Sequence, residues 1–147
     1  MKEVSLIRRC ILAALMFGVL GSNIELLLIE HYEEVSQFVP IVLMGFALLV
    51  ILWHGLRPSA TNLRVLQVTM MLFLIAGTVG IVLHFRGAAE FQWELDPSQS
   101  VWNVFKKVMR AKAPPVLAPG ILLQLGIIGL VYGHGHPAAG SISQIKE

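Results

Sequence analysis

The sequence is short of charge and almost without cysteine. Only 14% of its 147 residues are Asp, Glu, Lys or Arg, whereas a soluble domain carries about 25%. Hydrophobic residues make up 56%, and the mean hydropathy is +0.74. A generous core does not explain that imbalance, because a chain of this length holds at most one domain's worth of material. The apolar surface needs lipid, or partner subunits, as its solvent. The single cysteine, Cys10, excludes an intramolecular disulfide, a thioredoxin-like pair and a four-cysteine zinc site. It follows Arg8 and Arg9 rather than small residues, so it reads as a helix residue near the interface and not as a lipid-modified one. Basic residues are scattered apart from the stretch Lys106 to Lys112, and the net charge is +2, which gives no footing for nucleic acid. There is also no G-x-S-x-G, P-loop, H-E-x-x-H or dinucleotide fingerprint.

Long apolar runs fill the space left by these absences. A bilayer-spanning helix needs roughly 20 mostly apolar residues, and segments at about 6–29, 38–56, 63–85 and 115–133 meet or approach that requirement. The first begins like a signal peptide, with Lys2, Arg8 and Arg9. Its apolar stretch is too long for a signal's core, and no small-x-small cleavage site precedes the acidic residues. It reads as a mature helix. Gly55 and Pro58 close the second span, and Thr61 or Asn62 is expected to cap the third. Pro114, Pro115 and Pro119 stand where the fourth begins, a place that tolerates missing amide donors. Short connections make consecutive spans antiparallel. The expectation is an all-α integral membrane protein, an up-down bundle of four transmembrane helices in one domain over 1–137, with a flexible tail over 138–147.

The connection after the third span has its own content. Asp96-Pro97 with Gln99 suggests a helix start, and Val101, Trp102, Phe105, Val108 and Met109 recur at helical spacing opposite Asn103, Lys106, Lys107 and Arg110. A basic amphipathic helix over about 97–112 is expected to lie in the membrane interface; docking against a partner is the alternative use of the same stripe. Orientation follows from basic residues. Six (Lys2, Arg8, Arg9, Arg57, Arg64, Lys146) fall on the side of the N-terminus and five on the other. The loop Glu30-His31-Tyr32-Glu33-Glu34, free of Lys and Arg, then places both termini in the cytoplasm. Gly77, Gly80, Gly126, Gly129 and Gly133 mark the third and fourth spans as close neighbours, with Gly129 and Gly133 in small-xxx-small spacing.

Polar residues near the span ends are the candidates for chemistry. Asn23, Glu30 and Glu34 share one helical stripe, and clustered carboxylates repel unless a cation, a proton or an arginine balances them. Arg86, at the end of the third span, is the expected balancing partner for Glu30 or Glu34. Glu25 lies about one turn inside the boundary, where an ionisable group costs a few kcal/mol unless paired or protonated. His31 and His84 close the first and third spans, and His54 and His134 the second and fourth. The candidate polar or metal cluster is therefore Glu25, Glu30, His31, Glu34, His84 and Arg86, with His54 and His134 as a second histidine pair. Two such pairs suit bis-histidine haem or a metal ion; histidines also settle at membrane interfaces for their amphipathic character alone. His134-Gly135-His136 reads as a flexible exit from the helix.

Three functions fit these features. The leading one is a non-catalytic subunit of a larger membrane complex, or a self-associating bundle, with the lipid bilayer and protein subunits as partners. The second is a redox or metal-binding four-helix protein using the paired histidines. The third is a small carrier or membrane enzyme with Glu25 as the working acid.

Overall fold

The computed structural model describes residues 2–112 and 114–139. The described residues form five helices and no strand: α1 (Lys2–Leu28), α2 (Val35–Leu56), α3 (Ala60–Leu95), α4 (Val101–Met109) and α5 (Leu117–Gly133). α1, α2 and α3 are long and apolar enough to cross a membrane, and α5 is a shorter apolar helix. The chain is a helical protein with three candidate membrane spans. Of the expected tail, Ala138 and Ala139 share a single 3₁₀ turn with Pro137, and 140–147 lie outside the described residues.

Each helix end has a local cause. α1 stops in a Schellman turn: the His31 amide donates to Leu26 O at 2.9 Å and the Glu30 amide to Leu27 O at 3.2 Å. Glu30 occupies the left-handed position, at φ 55°. A glycine sits there more easily; with a Cβ the conformation costs about 1–2 kcal/mol. α2 opens on a reciprocal box between Glu34 and Gln37. α3 opens on another, in which Ser59 Oγ accepts the Asn62 amide and Asn62 Oδ1 accepts the Ser59 amide at 2.9 Å. Ser59, not Thr61 or Asn62, is thus the cap; Asn62 closes the box from the third helical position.

α3 runs further than the third span expected from hydropathy. Arg86 to Leu95 contains no proline, and its one glycine, Gly87, is followed by the strong helix formers Ala88, Ala89 and Glu90, so the helix continues until Asp96-Pro97. At 1.5 Å per residue its 36 residues extend about 54 Å, against about 30 Å of hydrocarbon. The motif read as the start of an interfacial helix instead ends this one. Asp96 caps α3 and binds Ser98 through its carboxylate, and Gln99 donates back to Gln92 O at 2.9 Å. α4 therefore starts later, capped by Ser100. Its buried contacts also differ from the expected stripe. Val104 and Val108 close on Ala89 of α3, flanked by Phe85 and Trp93, leaving Val101 and Trp102 exposed.

α1 touches α2 and α5, and α3 touches α2, α5 and α4. The main core lies among the first three and α5, around Leu15, Val19, Met44, Ile51, Leu66, Met70, Phe73 and Leu125. α3 and α5 approach closely because glycine lines their seam. A Cβ at Gly126 would stand 2.9 Å from the backbone oxygen of Met70, and one at Gly77 2.9 Å from that of Pro119. Opposite the core, α1 and α2 carry exposed apolar stripes that include Phe17, Ile24 and Leu28, then Val42, Leu49 and Leu56.

Candidate functional site

Polar side chains gather at both ends of this helical array. At the first end, α1 finishes, α2 begins, and α3 passes on toward α4. α1 and α3 make no close backbone contact with each other, and a cavity of about 1060 Å³ opens where their ends diverge. Glu25, His31, Glu34 and His84 all border it, among mostly apolar residues of α1, α2, α3 and α5. The Schellman turn carries His31 across toward α3, where its ring lies parallel to that of His84, 5.9 Å between centroids and 17° apart in plane. Partial burial, and then the neighbouring His84, hold the His31 imidazole below its ordinary pKa, which favours the neutral ring.

Two members of the expected cluster are used elsewhere. Glu30 does not border the cavity; its role is the left-handed turn. Arg86 turns from Glu30 and Glu34 to Glu90, one turn along its own helix, at 2.8 Å. The side chains of that pair are 75% and 55% exposed. A partner one helical turn away needs no reach across the bundle, so the local pair displaces the expected interhelical one. No described residue pairs with the Glu25 carboxylate.

The other end is tighter. His54 is fully buried and both its ring nitrogens are engaged: Nδ1 lies 2.7 Å from Asn62 Oδ1, and Nε2 2.9 Å from the Tyr132 hydroxyl. The Tyr132 hydroxyl also meets His136 Nε2 at 3.2 Å. Hydrogen-bond logic orients the whole chain. Asn62 must present its oxygen to His54, because that oxygen accepts the Ser59 amide while its nitrogen donates to Arg57 O. His54 therefore donates from Nδ1, and in the neutral ring this leaves Nε2 to accept the tyrosine proton. His136 accepts the Ala138 amide at Nδ1, so its Nε2 carries the proton given to Tyr132. Donation runs in one direction, from Ala138 through His136, Tyr132 and His54 to Asn62.

Arg8 of α1 fastens the same end. Its guanidinium donates to Tyr132 O and Gly135 O at 2.9 Å each and to His134 O at 3.3 Å, satisfying carbonyls at the negative end of α5. Gly135 makes this possible by turning the chain at φ 56°, a conformation natural to glycine. His134 itself is exposed, so the ring that meets His54 is His136, at 5.0 Å between centroids. Burial, with His54 and then Arg8 nearby, keeps the His136 pKa below its usual value.

Arg8, Asn62, Tyr132 and His136 join His54 in one site that the apolar and charge patterns of the sequence do not mark. The four-residue spacing of Tyr132 and His136 was the available signal; nothing in the sequence joins Arg8 to residues more than 120 positions away. Among the described residues no group of three or more His, Cys, Asp or Glu side chains is placed to hold a metal ion. No family model matches the chain, and no match is found among curated proteins or solved structures.

Proposed function

We propose that the chain crosses the bilayer four times, with α1, α2, α3 and α5 as an up-down bundle and both termini in the cytoplasm. In this arrangement α4 rests along the outer interface, its exposed Val101 and Trp102 toward lipid and Lys106, Lys107 and Arg110 toward headgroups. The 17 residues of α5 reach about 25 Å, the short end of the range for a span. The protein acts as a non-catalytic membrane subunit or self-associating bundle, working through its helix faces.

The observation that carries this reading is the continuous apolar exterior of α1 and α2, where Phe17 is 79% and Leu28 78% exposed. On α1 that exterior includes Ala14 and Gly21, and a Cβ at Gly21 would meet nothing within 4 Å. Small residues on an outer face let another helix's backbone approach. Native mass spectrometry from lipid nanodiscs, with the protein at its natural abundance, tests the reading. A defined oligomer or a stoichiometric partner is expected, and a lone monomer contradicts it.

The stacked His31 and His84 favour a second reading, a redox or metal-binding bundle. These two imidazoles would be its ligands, since His54 has no free ring nitrogen. Absorbance of the purified protein decides between the two: a Soret band or stoichiometric bound metal selects the second.

A further inference from the structure

The geometry points to a binding site for a lipophilic organic cation in the cavity bordered by Glu25, His31, Glu34 and His84. The site lies within one chain and does not depend on association. Its size and lining are the first argument. At about 1060 Å³ it stands at the upper end of ligand pockets, which span about 300–1,000 Å³. Its polar groups collect where α1 ends and α2 begins. Met44, also on its wall, lies nine residues into α2, about 14 Å deeper along the helix. An occupant therefore meets carboxylates and imidazoles at one end and hydrocarbon at the other.

Charge supplies the second argument. The lining holds two carboxylates and no lysine or arginine, and Arg86, next in sequence to the lining residue Gly87, is committed to Glu90. Glu25 sits about one turn inside the helix end, where an unpaired carboxylate bordering hydrocarbon is costly. The absent counter-charge is a cation. Among the described residues no trio of ligating side chains gathers to hold a metal ion, and the walls are mostly apolar, so the cation that fits is organic and bulky. Partial burial, and then His84, lower the His31 pKa, which favours the ring form that adds no repelling charge beside a cation.

The test uses the full chain in phosphatidylcholine nanodiscs and two probes of one shape and opposite charge, tritiated tetraphenylphosphonium and tetraphenylborate. The phosphonium is expected to bind saturably, about one per chain, and the borate no more than to empty discs. Glu25→Gln should weaken phosphonium binding by about tenfold or more, the scale of one lost charge-assisted contact, and Glu34→Gln by a smaller factor. Ala118→Phe, which narrows the cavity and leaves both carboxylates, should also lower binding. It keeps the question answerable if the Glu25 variant fails to fold. No saturable phosphonium binding, equal binding of the borate, or full binding by either Glu25→Gln or Ala118→Phe overturns the proposal.

Discussion

Replacing Tyr132 with phenylalanine removes one oxygen atom from the centre of the polar staple and nothing else. In the native protein that hydroxyl joins His54 at 2.9 Å and His136 at 3.2 Å. Two hydrogen bonds of about 1 kcal/mol each are lost, and the His54 Nε2 lone pair is left buried, which adds about 1–3 kcal/mol. Bonds measured between membrane helices average only about 0.6 kcal/mol, because the unfolded reference state in lipid also finds partners. Weighing the two, the expected loss is about 1.5–3 kcal/mol. The Arg8 contacts are to backbone carbonyls and survive, so α1 and α5 should remain joined. Equilibrium unfolding in mixed micelles measures the loss. Combining the change with His136→Ala should give a coupling energy of about 0.5 kcal/mol or more, as expected for directly bonded residues. A loss below about 0.5 kcal/mol with purely additive effects would refute the directional chain.

Gly126→Ala should cost about 1–3 kcal/mol by overpacking, because its Cβ meets the rigid Met70 carbonyl. Gly120→Ala, where the Cβ meets nothing within 4 Å, should be neutral or stabilising by up to about 1 kcal/mol; thermal unfolding of the pair reads both. Acidification should weaken the fold. His31 and His136 both have pKa values lowered from 6.5, so below that value the unfolded chain binds more protons than the native one and stability falls as pH drops. Unfolding midpoints across pH 5 to 8 check the sign, and a fold that strengthens toward pH 5 contradicts it. Phe105→Asp removes ring contacts to Trp102 and Phe85, worth about 0.5–1.5 kcal/mol each. Hydrogen exchange should quicken in α4 and stay unchanged in α1, α2 and α5.

The helical character and the apolar segments were legible because both depend on local composition. The glycine seam of α3 and α5 was legible for the same reason: small residues at close spacing on two helices have one common use. Helix limits were less so, since Asp96, Pro97 and Gln99 are compatible with ending one helix or starting another. Only the continuation of helical sequence through Glu90 and Trp93 decides for the end of α3. At the candidate site, the convergence of His31 and His84 followed from topology. The fate of Arg86 did not, because Glu90, one turn along the same helix, is a nearer partner than any carboxylate of α1 or α2. The hydrogen-bonded group around His54 was not legible because its members come from α1, α2, α3, α5 and the residues just after α5, and apart from the four-residue spacing of Tyr132 and His136 these partners leave no pattern in sequence.

The most direct test of the four-span arrangement asks whether α5 crosses the bilayer. With Cys10 replaced by serine, single cysteines at Glu33, Ser59, Ser98 and Ala139 are probed in intact cells with a membrane-impermeant maleimide. The account predicts labelling at 33 and 98 only, with 59 and 139 protected until the membrane is opened. Labelling of 98 and 139 on the same side would contradict it, leaving α5 as a helix packed on α3 without crossing.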